Sequence, residues 1–259
     1  MPLYIVPTPI GNLKDITRRA VEVLQAVDFI IAEDTRHSRK LLSHLGIRKR
    51  IVSCYRPHER AQAERILPQL ATLDAALISD SGTPAVSDPG FLLIRMAVEQ
   101  DIPVIPLPGA TAFVPALVAS GIAPEPFLFF GFPPRKEKER ERFLSEAADL
   151  PYTLIFYESP RRAALFLQSA RRIFGDRPFA LAKEVSKKNE KIIRGNLEKV
   201  DEILQGQTIL GEIVILIAGC PRRESDPDAL QLRNRQDIFD FFRKNYSISK
   251  NQLKKILMK

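Results

Sequence analysis

Residues 79–90 read SDSGTPAVSDPG and follow the apolar run Ala75–Ile78. Two Ser-Asp pairs in this stretch could supply nucleophiles or metal ligands, and each pair runs into a Gly/Pro turn. A third interpretation is a loop shaped for a ligand, because Gly82 lets backbone amides approach a bound molecule closely. The polar side chains that would surround such a ligand are Asp80, Thr83 and Ser87. The stretch therefore favours a mould for a polar, flat small molecule such as a nucleoside.

Motifs for several common chemistries are missing from the sequence. There is no G-x-x-x-x-G-K-[ST] or G-x-G-x-x-G nucleotide loop and no G-x-S-x-G nucleophile elbow. His37, His44 and His58 form no zinc-like cluster, and Cys54 and Cys220 have no metal spacing. The sequence therefore weighs against a serine hydrolase and a metalloenzyme, and it predicts no metal.

Short apolar runs alternate with amphipathic stretches over the first 120 residues. The predicted strands are residues 3–7, 29–32, 50–53, 75–79 and 103–107. Strands separated by helices of this length indicate βαβ units and a mostly parallel sheet. Such sheets bind ligands beyond the carboxyl ends of their strands, so the loops after the strands form the predicted site. We predict an α/β N-terminal domain over residues 1–119.

Three helix caps are predicted in these loops. Asp15 is expected to cap the helix that follows the turn at residues 7–17, and Asp34 or Thr35 the next helix. Asp88-Pro89 is expected to form the N-cap and first turn of the helix at residues 91–100. In this interpretation the second Ser-Asp pair of the opening stretch has a structural role.

A Pro- and Gly-rich stretch at residues 120–127 is predicted to link two domains. The elements expected beyond it are strands at 152–157, 179–183 and 211–219, a helix at 160–174 and a hairpin-like piece at 191–195. Continuous apolar runs between helices fit a buried sheet with mixed strand directions. We predict a C-terminal α/β domain over residues 120–221 and a short basic helical tail over residues 222–259.

The net charge of +8 is distributed unevenly along the chain. Residues 222–259 carry ten Lys/Arg against five Asp/Glu. A basic tail on a near-neutral body suggests a polyanionic partner, nucleic acid before membrane, and a merely solubilising tail is the alternative. No apolar run approaches the roughly 20 residues that span a bilayer, and the N-terminus lacks signal-peptide features. We expect a cytoplasmic protein with reduced thiols.

Seven segments of the chain match one known family in order. They are LYIVPTPIGNLKDIT (3–17), AEDTRHSRKLLSHLG (32–46), SDSGTPAVSDPG (79–90), PGATAF (108–113), GFPPRK (131–136), FYESPRR (156–162) and GEIV (211–214). Together they closely resemble the ribosomal RNA small subunit methyltransferase I family, in the tetrapyrrole-methylase-like class of S-adenosylmethionine (SAM) methyltransferases. The resemblance implies a two-domain α/β fold with SAM in the interdomain cleft, a homodimer and no metal. It also implies 2′-O-methylation of a cytidine ribose in the decoding region of 16S rRNA, in the 30S ribosomal subunit.

The resemblance also implies which residues contact SAM. Gly82-Thr83-Pro84 stands where related methylases have Gly-Asp-Pro, so this loop would line the methionine and ribose side. Tyr157 and Val185 fall at positions that would flank the adenine. The implied cofactor-binding residues are Ile10, Gly11, Asp80, Ser81, Gly82, Thr83, Val86, Thr111, Ala112, Tyr157 and Val185.

Two segments depart from the family's pattern. Residues 55–59 read YRPHE where the family has a His-x-His-Asn-Glu-like segment, so Glu59 stays while its neighbours differ. Residues 183–187 read KEVSK against Arg-Glu-Leu-Thr-Lys and retain Glu184 and Lys187. The C-terminal helical module is also shortened. These departures concern RNA contact more than the SAM site.

Methyl transfer from a sulfonium has a good leaving group, so the enzyme must mainly position the 2′-hydroxyl and manage its proton. A ribose hydroxyl is a poor acid, so a base, or a cation that stabilises the alkoxide, is expected. The candidate catalytic residues are Glu158, Glu184, Lys187, Asp34, Arg36 and His37, although each could instead form an ion pair or a helix cap. The candidate RNA-binding residues are Arg36, Arg39, Arg135, Lys136, Arg161 and Arg162, with the cations of the tail. Phosphate contacts of this kind predict a steep loss of binding with salt.

Two alternatives stay open at this point. A small-molecule methylase acting on a tetrapyrrole would keep the fold, but it gives no reason for the basic tail. A non-catalytic RNA- or ribosome-associated protein would also keep the fold, but it would not need intact glycine loops.

Overall fold

Five parallel strands form the first sheet of this computed structural model, which describes residues 1–206, 209 and 211–221. The strands are β1 (Leu3–Ile5), β2 (Phe29–Ala32), β3 (Arg50–Ser53), β4 (Ala75–Ile78) and β5 (Val104–Pro106). All four neighbouring pairs run parallel, which confirms the predicted sheet. The apolar sequences of β2 and β4 are buried along their full length, as expected for central strands covered on both faces.

The strand order β3-β2-β4-β1-β5 places β1 and β4 side by side. The helices between the strands are α1 (Arg18–Ala26), α2 (Thr35–His44), α3 (Glu59–Ile66) and α4 (Phe91–Glu99). α1 and α2 contribute to the hydrophobic core on one face of the sheet, and α3 and α4 to the core on the other. The chain leaves β1 toward β2, on one side of this pair, and leaves β4 toward β5, on the other side. The loops after β1 and β4 therefore flank a topological switch point, where sheets of this kind bind ligands.

A second five-stranded sheet has the order β6-β7-β10-β8-β9. Its strands are β6 (Phe127–Gly131), β7 (Thr153–Glu158), β8 (Pro178–Lys183), β9 (Lys191–Asn196) and β10 (Ile213–Ile217). β6 and β7 run parallel and the other neighbours antiparallel, which confirms the mixed directions predicted.

Helices cover both faces of the second sheet. They are α5 (Phe113–Ser120), α6 (Glu137–Glu146), α7 (Pro160–Phe174) and α8 (Val200–Leu204). α5 packs on one face, and α6, α7 and α8 contribute to the core on the other. Across both sheets, none of the helices that the structure describes is long and apolar enough to cross a membrane.

Residues Met1–Cys220 form one compact unit that contains both sheets. α5 packs against the second sheet although most of this helix precedes the predicted domain boundary at residue 119. That boundary stays a prediction, and the helical tail predicted at residues 222–259 lies outside the described residues.

One of the predicted caps is confirmed and a second is wrong. The Asp34 carboxylate accepts a 2.7 Å hydrogen bond from the N–H of Arg36 and so caps α2. α1 is capped by Thr17, whose hydroxyl accepts the N–H of Ala20, and not by Asp15. Asp15 lies too early, because the chain first forms a short 3-10 helix that ends at Asp15 itself.

The N-terminus of α4 is capped by a residue of another helix. Gly90 occupies the N-cap with φ of 117°, and Glu59 of α3 accepts hydrogen bonds of 2.9 Å from the N–H groups of Gly90 and Leu92. The prediction that Asp88-Pro89 caps this helix is therefore wrong. The negative charge of this carboxylate also interacts favourably with the positive end of the α4 helix dipole.

We expect Glu59→Ala to lower the free energy of unfolding by about 1 to 2 kcal/mol, as the loss of an N-cap does. Glu59→Gln should cost less, because its amide oxygen can still accept both hydrogen bonds. The measurement is urea denaturation followed by circular dichroism. Glu64→Ala is the matched control on α3, since its carboxylate is exposed and lies 3.8 Å from Arg60. Equal losses for the alanine variants at 59 and 64 would contradict the capping role.

Candidate functional site

A cavity of about 320 Å³ lies at the carboxyl ends of β1 and β4. Its wall consists of Ile10, Ser81, Gly82, Thr83, Val86, Ser87, Asp88, Thr111, Ala112, Phe132, Tyr157, Glu158, Ser159, Pro160, Val185, Gly211, Glu212, Ile213 and Val214. Nine of the eleven residues predicted to bind SAM are among them. The two that are not are Gly11 and Asp80. The structure thus brings together residues from both sheets, and their binding of SAM stays a prediction.

The loop after β4 is held in place by its own backbone and hydroxyl groups. Thr8 and Gly82 exchange two backbone hydrogen bonds, of 2.9 and 3.1 Å, which join the loops after β1 and β4. The Ser79 hydroxyl donates to the carbonyl of Gly82 (3.0 Å), and the Thr83 hydroxyl to the carbonyl of Ala110 (2.9 Å). Gly82 has φ of 87°, which favours glycine. The hydroxyls of this loop therefore shape the cavity wall.

Tyr157 and Val185, which the resemblance implies would flank the adenine, bring the second sheet into the cavity wall. Burial raises the pKa of the Tyr157 hydroxyl, which also forms a hydrogen bond with Thr111. Tyr157 therefore presents a neutral aromatic ring to the cavity at neutral pH.

Glu158 lies buried at the end of β7. Its Oε1 accepts a hydrogen bond from the N–H of Ser159 and pairs with Nη2 of Arg162, both at 2.6 Å. The Arg162 Nε also donates to the Ser159 hydroxyl. This pairing fixes the start of α7, and it weighs against Glu158 as a proton acceptor and against Arg162 as a phosphate ligand.

Glu184 and Lys187 meet at the edge of the cavity, together with Glu212. The Lys187 Nζ lies 3.0 Å from Glu184 Oε1 and 3.5 Å from Glu212 Oε2. Burial acts to raise the pKa of Glu184, but hydrogen bonds from Lys187 and the Glu212 amide lower it overall. The carbon stem of Lys187 packs on Gly11. These charges form an ion-paired cluster, in which Glu212 was not expected.

Asp34, Arg36 and His37 do not line the cavity. The Asp34 carboxylate is engaged as the cap of α2, while the Arg36 and His37 side chains are exposed. The structure therefore separates these three predicted catalytic residues from the cavity wall.

The predicted RNA-binding cations differ in their surroundings. Arg36, Arg39, Arg135, Lys136 and Arg161 are exposed. Lys136 pairs with Glu139 at 2.9 Å, whereas Arg36, Arg39, Arg135 and Arg161 have no ion pair with any residue that the structure describes. All four arginine side chains are thus free to bind phosphate.

A group of acidic residues, Glu33, Asp80 and Asp88, follows strands β2 and β4, and Asp88 lies in the cavity wall. Burial raises the pKa of Glu33 to about 7; the charges of Asp88 and Asp80 add to the shift and that of Arg56 opposes it. Burial likewise raises the pKa of Asp88. The N–H of Asp34 donates to Asp80 Oδ1 at 3.2 Å, which joins the two strand ends.

Glu33 and Asp88 were not among the predicted catalytic residues. The available signal was that Glu33, Asp80 and Asp88 each follow a predicted strand, but using it requires that β2 and β4 be neighbours.

Among the described residues, no three His, Cys, Asp or Glu side chains are grouped to hold a metal ion.

We expect Glu33 to make stability depend on pH. Its pKa is raised in the folded protein, so its stabilising contribution is complete below the ordinary value of 4.5 and is lost as the pH rises through about 7. Glu33→Gln should therefore gain stability relative to the wild type as the pH rises. The difference between their free energies of unfolding should be about 1 kcal/mol more favourable to the variant at pH 8 than at pH 4.5. This figure is well below full conversion of the shift, because the side chain is half-buried. Urea denaturation at both pH values measures it.

Asp201→Asn is the control, because a hydrogen bond from Gln168 and the neighbouring Arg171 lower the pKa of Asp201. Asp201 therefore stays largely ionised from pH 4.5 to pH 8, and the effect of this variant should be nearly constant over that range. A Glu33→Gln effect that is also constant would contradict the raised pKa.

Comparisons with known proteins also point to a methyltransferase. The family model for Tetrapyrrole (Corrin/Porphyrin) Methylases matches residues 2–201. A ribosomal RNA small subunit methyltransferase I from Micromonospora olivasterospora is 44% identical over 228 residues, which cover 87% of this chain and 73% of that protein. A protein of the same name from Haemophilus influenzae is 44% identical over 230 residues, 87% of this chain and 81% of that protein. A crystal structure of diphthine synthase matches with a TM-score of 0.65 at 14% identity, and the match covers 84% of this chain and 90% of that protein's chain. At this level of identity the similarity supports the fold alone.

Proposed function

Because this chain belongs to the tetrapyrrole methylase family and, within it, to the ribosomal RNA small subunit methyltransferase I enzymes, we propose that it methylates 16S rRNA with SAM as donor. The target we propose is the 2′-hydroxyl of a cytidine in the decoding region. The observation that carries this proposal is the cavity at the switch point, which gathers nine of the eleven residues that the family resemblance implies for SAM.

The residues of the cavity suit SAM in size and character. A volume of about 320 Å³ is at the lower end of the range for small-molecule sites. The Gly82 backbone would approach the methionine and ribose part, and Tyr157 with Val185 would flank the adenine. When bound, SAM supplies a methyl group activated on a sulfonium. The chain's own residues must then hold the acceptor ribose and take up its proton.

Asp88 is the carboxylate of this site best placed to accept that proton. The cavity wall carries three carboxylates, those of Asp88, Glu158 and Glu212. Glu158 pairs with Arg162 and Glu212 with Lys187, whereas Asp88 forms no ion pair within 4 Å among the described residues. Its raised pKa makes it a stronger base than an exposed aspartate. We assign proton acceptance to Asp88, with Glu33 adjusting its proton affinity.

The exposed cations would bind the RNA backbone. Arg36 and Arg39 lie on α2, which begins beside the acidic group, and Arg161 lies in the first turn of α7 beside the cavity. Together with Arg135 and Lys136 they would contact phosphates without reading sequence. The homodimer implied by the family resemblance belongs to the same proposal.

The decisive experiment is methyl transfer from labelled SAM to 30S subunits that lack the modification, followed by nucleoside mapping. We expect 2′-O-methylcytidine in the decoding region, and RNA binding that weakens steeply with added salt. Naked 16S rRNA in a parallel reaction shows whether the assembled subunit is required. Label in another nucleoside would correct the target, and label transferred to an added porphyrinoid instead of RNA would favour the small-molecule alternative.

A further inference from the structure

Phe132 is an exposed aromatic side chain in the wall of the cavity. It is 57% exposed, and Val86 in the loop after β4 is 49% exposed in the same wall. Folded proteins bury most of their large apolar side chains, so two exposed ones in the wall of one cavity indicate a surface that a ligand covers. Val86 is among the residues that the resemblance implies for SAM, whereas Phe132 is not, so the role of Phe132 in this wall needs another explanation.

The backbone around Phe132 is shaped to present its ring. β6 ends at Gly131, where the pairing with β7 shifts register and φ is 65°. A bulge of this kind redirects the side chain that follows it. A Cβ atom at Gly131 would lie 3.5 Å from the Ser87 hydroxyl, so the end of β6 approaches the loop after β4 closely. Phe132 and Val86 therefore belong to two segments that meet at the cavity.

A series of aromatic rings supports Phe132 from behind. Its ring centroid lies 5.5 Å from that of Tyr157, which lies 4.9 Å from Phe129 in an edge-to-face contact. Phe129 in turn stacks on Phe113 at 4.7 Å. The series runs from α5 through the second sheet to the cavity, and Phe132 is its exposed end. Such support fixes the ring and leaves the remaining surface available for stacking.

Cations follow Phe132 at a short distance along the chain. Pro133 and Pro134, whose φ angles are fixed, lead to Arg135 and Lys136, both exposed. An aromatic face beside arginine and lysine is the combination that binds an unstacked nucleotide, because the ring stacks on the base while the cations bind phosphate.

We propose that Phe132 stacks on the base of the target nucleotide and so holds its ribose at the cavity, with Val86 as the apolar contact on the facing loop. This inference rests on the proposed function, since it assumes an RNA substrate. The site is a nucleobase subsite next to the cofactor cavity, and it takes a base unstacked from its neighbours. Stacking is tolerant of base identity, so Phe132 would position the nucleotide without selecting cytosine.

The test compares Phe132→Ala with Phe132→Tyr and with the wild type on 30S subunits. Removing the ring should raise KM for the subunit about 10-fold to 100-fold, the range that loss of one base–aromatic stack gives. Phe132→Tyr keeps an aromatic face and should stay within about 3-fold of the wild type. The Kd for SAM, measured by calorimetry, should change little in either variant. Leu165→Ala removes an exposed apolar side chain of α7 outside the cavity wall and serves as the control.

Two results would overturn the inference. A weaker Kd for SAM with unchanged KM for the subunit would assign Phe132 to the cofactor, and wild-type kinetics in Phe132→Ala would show that the ring has no role. Failure of the proposed function has a different signature, because the wild type itself would then transfer no methyl group to 16S rRNA. In that case the nucleobase subsite is refuted with it.

Discussion

Thr83→Arg should abolish SAM binding while the protein still folds. Thr83 lies in the cavity wall, and an arginine there would extend into a volume of about 320 Å³ that SAM needs. Its guanidinium would also place a positive charge near the sulfonium of SAM. We expect the Kd for SAM, measured by calorimetry, to rise at least about 100-fold, which corresponds to roughly 3 kcal/mol.

The effect on folding should be much smaller. The substitution removes the hydrogen bond from the Thr83 hydroxyl to the carbonyl of Ala110, a contact worth about 1 kcal/mol. Thr83→Ser keeps the hydroxyl and should bind SAM within about 3-fold of the wild type. Thr72→Arg makes the same change at an exposed threonine outside the cavity and controls for the added charge. Unchanged affinity in Thr83→Arg would show that SAM binds elsewhere.

The strands of the first sheet could be predicted because their sequences carry the information locally. Phe29–Ala32 and Ala75–Ile78 are continuous apolar runs between amphipathic helices, and this pattern arises when a parallel strand is buried on both faces. The loops that follow them could then be assigned to the site, since ligands bind at the carboxyl ends of such strands. Ser81, Gly82 and Thr83 lie in the cavity for this reason.

The caps and the charged groups could not be predicted in the same way, because they depend on contacts between segments distant in sequence. Glu59 caps α4 across 31 residues of chain, and no local pattern distinguishes it from an ordinary helix-surface glutamate. Once Glu59 has that role, Asp88 is free to line the cavity. The pKa of Glu33 likewise depends on Asp80 and Asp88, which become its neighbours only when β2 pairs with β4.

The outcome for Glu158 and Arg162 has a similar cause. Both were expected to face a ligand or RNA, since they lie in a segment shared with a methyltransferase family. Four residues apart across the first turn of α7, they pair with each other at 2.6 Å instead. The i,i+4 spacing of these opposite charges is visible in the sequence, and in a helix it favours an ion pair between the two side chains over contacts with a ligand or RNA.

Asp88→Asn should lower kcat for methyl transfer by about 10²-fold to 10⁴-fold, the usual contribution of a general base, with the Kd for SAM almost unchanged. Asparagine keeps the size and the hydrogen bonding of the side chain but cannot accept the proton of the ribose hydroxyl. Single-turnover methyl transfer to 30S subunits measures the chemical step, and calorimetry measures SAM binding. Glu22→Gln, on the exposed face of α1, is the control for loss of a carboxylate charge.

The pH dependence of the same rate separates a base from a merely structural carboxylate. The charge of Asp88 helps to raise the pKa of Glu33 to about 7, so the two carboxylates influence each other's ionisation. As the pH rises through this value Glu33 becomes negative, and its charge then increases the proton affinity of Asp88. The wild-type rate should therefore rise between pH 6 and pH 8, roughly centred on that pKa.

Glu33→Gln should remove this rise and leave a rate that is flat over the same range, because glutamine stays neutral. Asp88→Asn should be slow at every pH. If Asp88→Asn retained the wild-type rate, or if Glu33→Gln retained the wild-type pH profile, proton uptake would have to occur at another group, and the ion-paired cluster of Glu184, Lys187 and Glu212 would be the next place to look.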